Sequence, residues 1–167
     1  MKQIIKQLKP LSVLPVLLLL WGIFSFSAQT GSESGGLSQA VSRWLADILN
    51  QISGKAMSSE ALDTLAQSLE FWVRKGAHMS EYALLCWATA LPMLVYRVPH
   101  RLRRLGTPLF CALIAVSDEF HQSFVPGRTA ALRDVGIDLL GAMVALGLLE
   151  LGLILWERHK KQKRPTQ

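Results

Sequence analysis

Residues 73–96 read VRKGAHMSEYALLCWATALPMLVY, a helix-length run whose apolar body is preceded by Lys75, His78, Glu81 and Tyr82. At ~1.5 Å per residue such a run crosses the ~30 Å hydrocarbon core of a bilayer. Ionisable groups at that depth cost ~2.5–3.5 kcal/mol each at a helix centre, so they persist where they face protein, water or a partner charge. At 100° per residue the four polar side chains fall within an arc of roughly 120°. One face of one helix therefore carries a cation, an imidazole, a carboxylate and a phenol.

Upstream, Leu11 to Phe26 is a shorter apolar run behind Lys2, Lys6 and Lys9. A basic start and a short run also describe a secretory signal peptide. The stretch Phe26-Ser27-Ala28-Gln29-Thr30 lacks a clean small-x-small cleavage site, so an uncleaved anchor is expected. Thr30 to Gly36 is rich in Gly and Ser and reads as a loop. Leu37 to Ile52 places Leu37, Ala40, Val41, Trp44, Leu45, Ile48, Leu49 and Ile52 on one helical face, an amphipathic helix too polar behind to span. Such a helix either lies in the membrane interface or caps the bundle from above. After Ser53-Gly54, a second amphipathic stretch with Leu62, Leu65, Leu69 and Trp72 runs without a breaker into residues 73–96.

Downstream, Arg97 to Arg104 reads as a basic turn containing Pro99. Gly106 to Phe124 is a third span, Val125 to Arg128 a turn, and Arg133 to Trp156 a fourth span with a basic tail over 157–167. The expected fold is all-α: a four-helix transmembrane bundle with spans near 11–27, 73–96, 106–124 and 133–156. Amphipathic helices lie between the first two, and the whole chain forms one domain.

With 167 residues there is no room for a soluble enzyme beside a membrane anchor. Charged residues make up 18% of the chain, against roughly 25% in soluble domains, while half of it is hydrophobic. The net charge of +6 is concentrated in Lys2, Lys6 and Lys9, in Arg97, Arg101, Arg103 and Arg104, and in Arg158, Lys160, Lys161, Lys163 and Arg164. Each cluster abuts an apolar segment, as expected of cytoplasmic loops and tails. Both termini and the middle basic loop are therefore placed in the cytoplasm, with the chain in the cell (plasma or inner) membrane. A nucleic-acid surface would need a contiguous basic face with base-reading groups, and none is visible. Cys86 and Cys111 fall inside apolar runs, where thiols behave as small hydrophobes, and they form no disulfide framework or zinc spacing.

In this arrangement the polar residues gather on the extracytoplasmic side. The third span ends with Asp118, Glu119, His121 and Gln122; the fourth begins with Arg133 and Asp134, with Asp138 a turn deeper; Arg128 lies on the turn between. The face of Asp134 and Asp138 continues through Gly141, Ala145 and Leu148, and small residues at such spacing allow close helix approach. Pairing of Asp134 and Asp138 with Lys75 or an arginine is the plain structural explanation. A bundle needs only a pair or two, and the whole set exceeds that.

The segments Arg74–Tyr82, Ser117–Arg128 and Asp134–Gly141, in this order, resemble the VanZ-like family, named for a protein linked to low-level teicoplanin resistance. The resemblance covers roughly residues 10 to 156, including a short first span and a Ser-rich external stretch. It implies a polar set of Lys75, His78, Glu81, Tyr82, Asp118, Glu119, Gln122, Arg128 and Asp134. Asp138 departs from it, standing where many relatives have Asn, so that an added carboxylate makes the site more acidic or calls for another cation. The resemblance implies fold, location and site, and supplies no reaction.

Three functions fit these residues. The first is recognition or modification of a lipid-linked or glycopeptide-related envelope molecule. Lys75 and Arg128 would hold a phosphate or carboxylate, and His78 with Glu81 or Asp118 would form an acid–base pair. Tyr82 and Gln122 would orient the ligand. His78, Glu81, Asp118 and Glu119 are the candidates for chemistry; Lys75, Tyr82, Gln122, Arg128, Asp134 and Asp138 are those for binding. The second is metal-assisted chemistry through His78-x-x-Glu81 and Asp118-x-x-His121, spacings that helical bundles use for metals. Lys75 and Arg128 would repel a cation there, and no metal or cofactor is expected. The third is a non-catalytic binding or accessory protein in the lipid bilayer, its polar cluster serving a partner or, in a homodimer, an ion path. His100 and His159 read as solvated, and Trp44, Trp72 and Trp156 as interfacial anchors.

Overall fold

A computed structural model describes residues 9–54 and 56–163; of the basic clusters, Lys2, Lys6 and Arg164 lie outside the described residues. A 3-10 turn over Lys9–Val13 leads into α1 (Leu14–Ser27), followed by α2 (Gly31–Ser53), α3 (Ser59–Val95), α4 (His100–Gln122) and α5 (Leu132–Gln162). No strand occurs among the described residues, and the all-α expectation holds.

The Gly/Ser stretch expected as a loop is the start of α2. Thr30 and Glu33 form a reciprocal capping box: Glu33 N–H donates to Thr30 Oγ1 at 3.3 Å, and Thr30 N–H donates to Glu33 Oε2 at 2.9 Å. Glycine is required at position 31, where a Cβ would collide with the Gly127 carbonyl. There Gly31 N–H donates to Pro126 O at 3.1 Å, tying α2 to the turn before α5.

On α2, Leu37, Val41, Trp44 and Ile52 point outward, away from the bundle that a capping helix would cover with them, while Ser38, Ser42 and Ala46 are buried. Ala46 packs with Leu62 and Ala66 of α3. The helix thus runs alongside the first half of α3 as the other arm of a hairpin, braced by an Arg43–Asp63 ion pair. Small side chains win the contact because they let two backbones approach closely.

From its Ser58 cap, α3 continues unbroken for 37 residues. It ends with Val98 N–H donating to Met93 O at 2.8 Å and Arg97 N–H to Leu94 O at 3.1 Å, a Schellman closure with Arg97 at φ 58°. The basic turn is shorter than expected, because α4 already begins at His100. Arg103 is therefore not solvated: it is buried on α4 and donates to Glu150 Oε1 of α5 at 3.0 and 2.6 Å, while Arg104 reaches Glu150 Oε2 at 2.8 Å.

The core joins Ile23 of α1, Tyr82, Leu85 and Cys86 of α3, Cys111 and Ala115 of α4, and Ala142 and Ala145 of α5. On α5 the buried face is Asp138, Gly141, Ala142, Ala145 and Leu146, whereas Leu148, assigned to it from the sequence, is 57% exposed. A Cβ at Gly141 would collide with the Met79 carbonyl, so α3 and α5 nearly touch there. Trp87 Nε1 donates to Ala145 O at 2.8 Å further along the same seam.

Two segments, Lys9–Ser27 and Leu132–Gln162, are long and apolar enough to cross a membrane. The other long helices, α2, α3 and α4, do not reach that apolarity; α3 carries Glu70, Arg74, Lys75 and Glu81 in its middle, and α4 is charged at both ends.

Candidate functional site

The first polar group to find its partner is Lys75, whose Nζ donates to Asp134 Oδ1 at 2.5 Å; both side chains are largely buried. Asp134 lies in the first turn of α5, where the free amides of a helix start favour a carboxylate. One turn deeper, His78 Nδ1 lies 3.7 Å from Asp138 Oδ1. Deeper still, Tyr82 is fully buried, its hydroxyl without a hydrogen-bond partner in the protein. Lys75, His78 and Tyr82 thus form one stripe of α3 directed at α5. Glu81, next to Tyr82, faces a different neighbour and lines a chamber between α1, α2, α3 and the end of α4.

The end of α4 supplies the second half of the site. Asp118 Oδ2 accepts from Gln122 Nε2 at 2.9 Å, and Gln122 Oε1 accepts from Arg128 Nη1 at 3.3 Å. Arg128 also donates through Nε to Gln29 O at 3.2 Å and through Nη2 to Phe26 O at 3.1 Å, closing the chain exit from α1 over the site. Burial pulls the Arg128 guanidinium below its ordinary pKa, with the nearby Asp118 acting against that. Glu119 turns away from the chamber, its Oε2 accepting from Ala131 N–H at 2.8 Å, at the residue that caps α5. It holds the 123–131 connection in place.

Two cavities meet here. The outer one, of about 530 Å³, is lined by Arg74, Lys75, Arg128 and Arg133 against only Glu70 and Asp134 among its charged carboxylates. The inner one, of about 200 Å³, has Ile23, Phe26, Leu37, Val41 and Val73 in its walls, with Glu81 and Asp118 as its carboxylates. Five residues line both: Ser34, Arg74, His78, Gln122 and Arg128. Arg74 Nε and His78 Nδ1 on the shared wall and Asp118 Oδ1 on the inner one are buried without a hydrogen bond, as are both carboxylate oxygens of Asp138, which lines neither cavity. A buried polar atom without a partner costs ~1–3 kcal/mol.

All ten residues singled out from the sequence lie at this one end of the bundle, but in different settings. Lys75 with Asp134, and His78 with Asp138, join α3 to α5, and Glu119 braces a loop. Glu81, Asp118, Gln122 and Arg128 border open space. The carboxylate nearest His78 is Asp138, rather than the Glu81 or Asp118 expected as its acid–base partner. His121 turns to α1, with Nδ1 3.5 Å from Ser27 Oγ and its ring edge-on to Phe24. Among the described residues no three His, Cys, Asp or Glu side chains converge as metal ligands.

Sequence reasoning passed over Arg74, Ser34, Glu70 and Arg133 as site residues. Arg74 adjoins Lys75 and is held by Glu70 at 2.6 Å, one turn back on the same helix. That i, i+4 pair is visible in the sequence. Ser34 gave no signal, because the stretch containing it read as a loop.

A family model described as VanZ/LLP1 matches residues 12–155. No curated protein and no solved structure matches the chain.

Proposed function

The chain belongs to the VanZ/LLP1 family, and from that premise we propose that it is a multi-pass membrane protein recognising an anionic, lipid-linked molecule of the cell envelope at the extracytoplasmic face. Two helices with the length and apolarity of spans fit a membrane location. Two further spans, through α3 and α4, are supported by the orientation of side chains. On α4, Leu105, Leu109, Leu113, Val116 and Phe120 are all more than half exposed, while Thr107, Asp118, Glu119 and Gln122 are buried. A helix that turns its apolar face outward and its polar face inward suits a hydrocarbon solvent, and large exposed apolar patches are rare on soluble monomers.

The observation that carries the ligand assignment is the outer cavity, with four cations against two carboxylates. Arg133 has no carboxylate within salt-bridge distance among the described residues and lies 5.4 Å from the Phe71 ring centroid. Arg128 keeps donors to spare after its three bonds. His78 Nδ1, 3.7 Å from Asp138 Oδ1, adds an imidazole beside a carboxylate, the neighbours that acid–base chemistry uses. Replacing Arg74 and Arg133 together by Gln is expected to lower the anionic lipid retained on the purified protein severalfold, and to alter glycopeptide susceptibility of cells carrying it. Unchanged lipid retention at equal expression would remove this reading.

A second reading, a non-catalytic accessory protein whose polar cluster holds helices together, is favoured by the Lys75–Asp134 pair and by the use Arg128 makes of backbone carbonyls. The same double substitution separates the two, since neither Arg74 nor Arg133 joins separate helices by an ion pair. The possible homodimer belongs to this reading.

A further inference from the structure

We propose that the two cavities bind one amphiphile, in which a phosphate links a hydrophobic chain to a larger hydrophilic headgroup; this rests on the anion-recognition reading above and names its ligand class. The phosphate sits where the cavities join, the headgroup fills the outer cavity, and the start of the chain lies in the inner one.

The junction is the first argument. Ser34, Arg74, His78, Gln122 and Arg128 border both cavities, each can donate a hydrogen bond, and none is a carboxylate. Arg74 Nε is buried there without a partner. Two guanidiniums suit a phosphate, which they grip with paired, charge-assisted bonds. Asp118 and Glu81 lie on the inner side only.

The second argument is the contrast between the two spaces. At about 530 Å³ the outer cavity is in the range of small-molecule sites and is bordered mainly by charged and amide side chains. A bare phosphate would leave most of it empty, so the phosphate carries a further hydrophilic group. The inner cavity, at about 200 Å³, has room for roughly half a dozen water-sized units of ~30 Å³. It therefore takes only the first part of a chain, and the rest must leave sideways. Phe26, Leu37 and Val41 line it and are 53, 55 and 46% exposed, forming an apolar rim that opens on the outside of the bundle. This rim also accounts for the outward stripe of α2, which continues the path of the chain into the surrounding lipid.

Full-length protein in nanodiscs of phosphatidylcholine supplies the test, with three probes. Phosphatidylglycerol and a polyisoprenyl phosphosugar represent the two sources of such an amphiphile, and glycerol 3-phosphate has the anion without the chain. Ala77→Phe narrows the inner chamber, and Leu37→Trp, at the exposed rim, does so with less demand on folding. Both are expected to weaken the better-bound lipid by roughly tenfold while leaving glycerol 3-phosphate within about twofold. Arg74→Gln is expected to weaken lipid and glycerol 3-phosphate alike. Whichever lipid binds more tightly identifies the source. Wild-type lipid affinity in both chamber variants, with Arg74→Gln still weakening the probes, would overturn the amphiphile and leave anion recognition standing. No effect of any variant on any probe would overturn both.

Discussion

At the scale of single residues, the Lys75–Asp134 pair shows how far a sequence can locate a site without assigning its roles. Both residues were legible as charges out of place, and they do meet, at 2.5 Å. The sequence offered Lys75 to either Asp134 or Asp138, with an arginine as the alternative, and could not choose between them across 59 positions of chain. The pair also makes a prediction. Removing one member leaves the other charged in a poorly solvated place, whereas removing both leaves an apolar contact. Lys75→Met alone is expected to destabilise by about 1–3 kcal/mol, less than a fully buried pair because both side chains keep some exposure. Lys75→Met with Asp134→Leu should recover most of that. Thermal unfolding in detergent micelles checks it, and a double variant no better than the single would mean that the pair adds little. Arg103 and Glu150 repeat the lesson at the opposite end of the bundle. A lone glutamate in the apolar run of α5 was the available signal, and its partner was hidden in what read as a basic turn.

At the scale of elements, helix boundaries and facing were the least legible part of the fold. The Thr-x-x-Glu box at Thr30 and Glu33 was present in the sequence, yet the glycines behind it outweighed it in a reading by composition. On α2 the apolar stripe was legible, but amphipathicity alone could not say whether that stripe meets protein or the surroundings. Here the helix packs by its Ser/Ala side and leaves its apolar side outward. Two substitutions probe the elements themselves. Arg97 closes α3 at φ 58°, a conformation costing roughly 1–2 kcal/mol for an L-residue, and glycine gives back up to about 1 kcal/mol in chain entropy. Arg97→Gly should thus raise stability by somewhat under 1 kcal/mol, seen as a higher unfolding midpoint; a fall would show that the Arg97 side chain makes a compensating contact. Gly141→Ala should act the other way, because its methyl meets the Met79 carbonyl and must push α3 from α5. Overpacking of this kind costs about 1–3 kcal/mol. The same displacement should loosen Lys75 from Asp134 and weaken anion binding with no change to any charged residue.

Across the whole molecule, large apolar side chains of α1, α4 and α5 face outward while Arg103, Asp118, Glu119, Gln122 and Asp138 are buried, and under the membrane reading proposed above the orientation in the bilayer decides which compartment the cavities serve. The basic residues bear on that orientation even after the correction at Arg103 and Arg104. Their pairing with Glu150 lowers the net charge of that end, but positive-inside bias follows the number of Lys and Arg near span ends, to which acidic residues contribute little. Arg97, Arg101, Arg103 and Arg104 therefore still count, along with Arg158, Lys160, Lys161 and Lys163 at the end of α5. All eight lie at the pole opposite the two cavities. With that pole in the cytoplasm, the turn after α2 faces outward. Cys86 and Cys111 are fully buried, so introduced thiols report without interference. Ser53→Cys should react with a membrane-impermeant maleimide in intact cells, and Val98→Cys only after permeabilisation. The opposite pattern would place the cationic cavity in the cytoplasm, where an extracytoplasmic envelope molecule could not reach it, and the proposed ligand would have to be sought in the inner leaflet.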